Sequence, residues 1–270
     1  MQTALALAVL VLLALIAAQV AASRWFRARI LTLAADLRRS PPTRPRGAAL
    51  PPLVAAHARR AGADPARPLR LASFNQSAEM RLKPGGPFTR VNAWQVIALG
   101  RGGFVWDARS AGARLRVLDA WTGGHGRLEA RAFGAIPVAR AEGPEIDEAE
   151  ALRYLAELPW APDAILGNPD LAWQQTGPAT AEVTMTVAGQ VLRAGFRFDD
   201  AGDIVGVEVA GRPSRDPDGR MVRRDWHGRF WDYRQIGERR LPAQAEAGPV
   251  LDGGHEVSFR AEIRDYHLAP

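Results

Sequence analysis

The chain has 270 residues, with 35 Lys and Arg against 29 Asp and Glu for a formal net charge of +6, and a pI near 10.7. Eleven arginines and two acids precede residue 71, a balance of +9 that leaves −3 for the rest, so the body lacks the clustered basic face that nucleic acid requires. The absence of cysteine excludes a disulfide framework, a thiolate metal site, a thiol nucleophile and an acylated N-terminal cysteine.

Thr3 to Ala22 carries no charge, and its only polar residues are Thr3 and Gln19. As a helix this run is ~30 Å long, the thickness of a bilayer's hydrocarbon core. A cleavable signal peptide is the competing reading, with Val20-Ala21-Ala22 before Ser23 as the small-residue site. The length of the run, and the absence of Lys or Arg before it, favour a retained transmembrane anchor over residues 1–23. Arg24, Arg27, Arg29, Arg38 and Arg39 follow at once, and by the positive-inside tendency they turn the body toward the cytoplasm, with the periplasm as the alternative.

Trp25 and Phe26 stand where interfacial aromatics would stand. Ile30, Leu33 and Leu37 extend an amphipathic helix, which either lies on headgroups or packs on the body. Five prolines between Pro41 and Pro52 end that helix and predict a stiff tether, so residues 24–50 read as basic helix plus tether and 51–270 as one domain.

Leu53–Ala61 reads as a short helix. Beyond it, alternating runs broken by Gly, Pro and Asp turns predict antiparallel strands at Leu69–Leu82, Phe88–Leu99, Gly103–Arg109, Arg114–Trp121, Arg127–Phe133, Leu171–Gln175, Ala181–Val187, Gln190–Phe198, Ile204–Val209, Gly228–Gln235, Arg240–Glu246 and Glu256–Tyr266. Ile146–Leu158 is the clear helix of the body, with acids in its first turn and Pro159 at its end. The expected fold is mainly β within an α+β class. It is a curved antiparallel sheet or half-barrel of about 11–12 strands with a helix across one face.

Trp94, Trp106, Trp121, Trp160, Trp226 and Trp231 lie in or beside these elements. Core packing accounts for them, but with Phe104 they could also line an apolar cleft. Alternation places Asp107 and Arg109 on one face as a structural ion pair. Asp119 with His125 is the nearest approach to an acid–base pairing, and the turn between them is ordinary. The five histidines show no metal-ligand spacing, no Ser sits in a nucleophile elbow, and no phosphate loop is present, so neither cofactor nor enzyme motif is expected. Glu142, Glu145, Asp147, Glu148 and Glu150 read as helix N-terminal charge on a solvated face.

Four segments carry a resemblance: GGFVWDAR (Gly102–Arg109), GPEIDEAEALRYLAELPWAPDAIL (Gly143–Leu166), FRFDDAGDIVGV (Phe196–Val207) and WHGRFWDYRQIGERRLPAQAE (Trp226–Glu246). In this order they resemble a bacterial family that carries only a domain-of-unknown-function label, over roughly Leu50–Tyr266. More distantly, the strand-rich body with its helix is similar to the half-barrel of outer-membrane lipoprotein carriers. That likeness implies a periplasmic setting, against the arginine flank.

The leading expectation is a membrane-anchored, non-enzymatic module that offers a Trp-lined cleft to a lipid or acyl chain. The alternatives are a membrane-tethered protein-interaction or scaffold domain, and a hydrolase or transferase built on Asp107, Asp119 and His125. An open interior favours the carrier and a packed one the scaffold; no protein partner is named by the sequence.

Overall fold

The apolar run and the arginine-rich stripe form one unbroken helix, α1 (Gln2–Leu37). The computed structural model describes residues 1–45, 49–81, 83–216 and 218–270; Arg46 to Ala48 of the expected tether, and Leu82 at the end of the first expected strand, lie outside the described residues. Among the described residues α1 alone is long and apolar enough to cross a membrane, and none of its apolar window is buried in the protein. Its second half is different. Phe26, Ile30, Leu33, Ala34 and Leu37 make a stripe at helical spacing that is buried against Leu71, Val96, Ala98, Val105, Leu118 and Ala120 of the sheet. The amphipathic stretch therefore packs on the body. Gly103 permits the approach, since a Cβ there would stand 2.9 Å from Leu37 Cδ2.

The proline run is also fastened down: Thr43 N–H donates to Leu69 O at 2.7 Å, and Leu69 N–H donates to Thr43 Oγ1 at 2.9 Å. Then come α2 (Pro52–Arg60), β1 (Leu71–Arg81), β2 (Phe88–Ala98), β3 (Phe104–Ser110), β4 (Leu115–Thr122), β5 (His125–Ala132), β6 (Ile136–Ala141), α3 (Pro144–Ala156) and α4 (Pro162–Gly167). β7 (Ala172–Gly177), β8 (Thr180–Val187), β9 (Gln190–Phe198), β10 (Ile204–Arg215), β11 (Met221–Ile236), β12 (Arg239–Leu251), β13 (Gly254–His255) and β14 (Phe259–Ala269) complete the chain.

The sheet is antiparallel, in the order β6-β5-β4-β3-β2-β1-β14-β12-β11-β10-β9-β8-β7, with β13 paired to β12. Its centre joins the first strand to the last, Glu79 facing Arg260. So long a sheet curls. The curl brings β4 and β5 on one limb and β9 and β10 on the other against α3, which lies in the concavity. Leu152, Leu155 and Leu158 are buried there, as the spacing predicts, and α4, a short helix beyond the Pro159 stop that the sequence reading leaves unassigned, is buried throughout. The mainly β, curved antiparallel expectation holds. β6 is an added edge strand, where Pro137 is tolerated because one side has no partner.

Candidate functional site

The seven aromatics of the expected cleft divide between the two faces of the sheet. Phe104, Trp106, Trp121 and Trp160 are buried on the concave face, and Trp226 is half-buried against the same core. Trp94 and Trp231 point outward from the opposite face: Trp94 packs beside α1, and Trp231 is exposed. The concave rings meet the chain's own side chains. Trp160 lies between Phe74 and Phe230, each centroid 5.7 Å away, and Trp121 meets Tyr154 at 5.8 Å.

The concave face also holds a buried polar chain. Trp106 Nε1 donates to Gln76 Oε1 at 2.6 Å, Gln76 to Gln95 at 3.1 Å, and Gln95 to Glu157 Oε2 at 2.5 Å. Glu157 accepts from Arg153 at 2.8 Å, and Arg153 in turn pairs with Asp119. Glu150 completes the cluster, with Arg212 at 3.5 Å. Burial first, then the charge of Asp119, pushes the Glu150 carboxyl up to about 8. Asp119 Oδ1 and Glu150 Oε2 are otherwise unpartnered, so a proton on Glu150 supplies the donor that joins the two carboxyls.

Glu150 thus departs from the solvated acidic set expected of it. Glu142 and Glu145 are the exposed members of that set, while the half-buried Glu148 pairs with Arg223 at 2.6 Å. The clue was Glu150, Arg153 and Glu157 at i, i+3 and i+7, one face of the helix that also carries Ile146. His125 and Asp119 are not brought together: His125 is exposed at the start of β5, 3.6 Å from Asp147. Asp107 lies 3.4 Å from Arg109, but its principal partner is Arg116, which donates to both oxygens at 2.8 and 2.7 Å.

Open concavities lie on the outer face. A groove of about 670 Å³ is lined by Ser77, Glu79, Arg90, Asn92, Trp231, Gln244, Glu246, Arg260 and Glu262. A second, of about 390 Å³, shares Ser77 and Asn92 and adds Asn75, Trp94, Asp107, Arg109 and Arg264. Strand register arranges these side chains in transverse rows. Arg90, Glu79, Arg260, Glu246 and Arg229 stand opposite one another in turn, an alternating charge ladder across β2, β1, β14, β12 and β11. The next row is Arg109, Asn92, Ser77, Glu262, Gln244 and Trp231, and a third runs Asp107, Trp94, Asn75, Arg264.

Most of these charges are paired within the ladder, Arg90–Glu79 at 3.3 Å and Arg260–Glu246 at 3.5 Å. Glu262 accepts from Arg264 at 2.7 Å and from Arg234 at 3.0 Å, and these bonds hold its carboxyl below the usual range. Exposed pairs of this kind contribute ~0–1 kcal/mol each and exchange partners cheaply.

No curated protein matches the chain. Among solved structures it is similar to a LolA superfamily protein from Nitrosomonas europaea, at 10% identity over 83% of this chain and 95% of that one, with a TM-score of 0.44. It is also similar to a domain named for outer membrane lipoprotein sorting from Vibrio parahaemolyticus (11% identity, 80% and 91% covered, TM-score 0.42). A DUF1329 family protein from Desulfovibrio piger follows (9% identity, 80% and 90% covered, TM-score 0.35). A family model, DUF6544, matches residues 40–261, a span that contains all four landmark segments. The chain belongs to DUF6544, a family of unknown function.

Proposed function

We propose that the chain is a membrane-tethered interaction module that holds an extended segment of a partner protein in its outer groove, the filled interior serving as scaffold. The observation that carries this reading is the contrast between the two faces: the aromatic concave face is covered by α3 and α4, while the part of the outer face that α1 leaves uncovered is an open, polar groove that ends at the exposed indole of Trp231. Five strands at ~4.8 Å spacing give a groove ~19 Å long, room for about six extended residues. Trp231 supplies the aromatic anchor that interfaces favour, and the ladder supplies exchangeable charges. The apolar half of α1 is the retained span, and Arg24, Arg27, Arg29, Arg38 and Arg39 orient the body to the cytoplasm.

A photo-crosslinking residue at Gln244, in the full chain in its native membrane, tests this. The expected result is one discrete protein adduct that is lost with Trp231→Ala. An adduct indifferent to that change, or none, refutes it. A reporter fused after Pro270 tests the side; activity confined to the periplasm overturns the orientation.

A second reading, a lipid or acyl-chain carrier seen closed, is favoured by one observation. α3 rests on the concave Trp surface through buried charges, with Trp121 Nε1 lacking a hydrogen-bond partner, a costlier seat than an apolar one. On this reading a lipid co-purifies with the full chain and is seen by native mass spectrometry; on the first, none does.

A further inference from the structure

We infer that the β5–β6 hairpin is a second membrane contact, seating the body on the lipid surface through Phe133, Ile136 and Val138. The inference rests on the reading of α1 as a membrane span. The apolar run ends at Ala22, and at the next residue the helix meets this hairpin: Gly134, at φ +68°, is so close that a Cβ there would stand 2.9 Å from Ser23 Oγ. Any bilayer that takes up the run therefore brings its boundary to the hairpin tip.

The tip is built for such a boundary. Phe133, Ile136 and Val138 are 54%, 58% and 57% exposed, and Trp25 on the adjoining turn of α1 is 56% exposed. Phe133 is held at φ +52°, a left-handed conformation that a bulky residue rarely adopts, and more than half of its surface is left exposed. Arg24, Arg27 and Arg114 are exposed beside them, Arg114 O accepting the Phe133 N–H at 2.9 Å, so cations that suit anionic headgroups border the apolar tip.

The dimensions agree. Trp25 lies ~3 Å beyond Ser23 along the helix and Val138 ~7 Å beyond Ile136 along its strand. Each headgroup layer is roughly 5–8 Å deep, half the difference between total bilayer and hydrocarbon thickness. A single helix leaves the body free to tilt about its exit. A second contact, beside a helix already fixed to the sheet by Phe26 to Leu37, sets the body's orientation over the membrane.

The chain has no cysteine, so one introduced thiol reports one place. Ile136→Cys and, on the β9–β10 turn, Asp200→Cys are each labelled with the fluorophore NBD in the full chain and reconstituted into phosphatidylethanolamine–phosphatidylglycerol vesicles. The expected result is a blue-shifted emission at position 136 with loss of dithionite quenching, while position 200 stays fully quenchable. Equal quenching at both sites in protein that floats with the vesicles overturns the hairpin contact and leaves the span standing. Failure to float removes both. Shielding that appears only at high protein-to-lipid ratio assigns the edge strand to a second copy of the chain and also overturns the proposal.

Discussion

Glu150→Gln isolates a buried acid whose titration opposes folding at neutral pH. Glu150 is fully buried on α3, and desolvation with the nearby Asp119 raises its carboxyl from 4.5 to about 8. The folded protein therefore keeps a proton that the unfolded chain releases. Its contribution is complete below about 4.5 and is lost as pH rises to about 8. His57 works in the opposite sense. Burial lowers it from 6.5 to about 4, so stability is present above 6.5 and is lost as pH falls through that interval.

The two slopes oppose each other between about 4.5 and 6.5, and from 6.5 to 8 Glu150 alone of these two acts. One and a half units at ~1.4 kcal/mol each make a loss of ~2 kcal/mol over that window. Glutamine keeps an oxygen for Arg212 and offers an amide donor to Asp119 without titrating. Chemical denaturation of the full chain in a mild detergent, followed by tryptophan fluorescence at pH 6.5 and 8, should show the wild type losing ~2 kcal/mol that Glu150→Gln retains. Parallel pH dependence of the two proteins would refute the proton assignment.

Asp163→Ala leaves the buried guanidinium of Arg239 without its bidentate partner, now at 2.9 Å to each oxygen, and should cost ~3–5 kcal/mol in the same denaturation assay. A loss below ~1 kcal/mol would show that Arg239 finds solvent. Phe26→Ala removes a fully buried ring that lies 4.6 Å from the Arg131 guanidinium, and should cost ~3–5 kcal/mol. Its signature is a new tryptic site between Ser23 and Leu37 while the sheet stays resistant; unchanged cleavage would refute the docking of α1. Gln76→Met leaves the Trp106 N–H and the Gln95 carbonyl unpartnered and should cost ~1–3 kcal/mol, read as a lower denaturant midpoint at constant slope.

Local pattern reaches as far as one strand or one helix face. The alternation of Phe104, Trp106 and Ala108 against Val105, Asp107 and Arg109 is borne out, the first three entering the core and Val105 meeting α1. Trp25 and Phe26 look alike as interfacial aromatics in sequence, yet consecutive helical residues point ~100° apart, and only Trp25 stays outside. The stripe of Ile30, Leu33 and Leu37 suits a membrane surface or a protein surface equally well, and the deciding partner, Leu118, is remote in sequence. The outer ladder is invisible for the same reason. Arg90, Glu79, Arg260, Glu246 and Arg229 come from five strands, and only their register sets them in a row. β6 is hidden by Pro137, which reads as a strand breaker until an edge position excuses it.

The buried charges and the open groove are best understood together, as a hypothesis about register. Exchanging a buried ion cluster for apolar residues of similar volume is often neutral, or stabilising by ~1–4 kcal/mol, so stability alone does not account for Arg153, Asp119 and Glu157 beneath α3. What directional bonds supply is position. An apolar helix can slide by a fraction of a turn, but Arg153 meets Asp119 and Glu157 together at one setting, which Gln95, Gln76 and Trp106 extend across the sheet. α3 stands between β4–β5 and β9–β10, so its position sets how tightly the sheet curls and how wide the groove stands on the other face. Replacing Asp119, Arg153 and Glu157 together with Leu, Met and Met should therefore leave a folded protein of equal or greater denaturant resistance, yet weaken the Gln244 cross-link. Retention of the full adduct in that variant would break the connection between the interior and the groove.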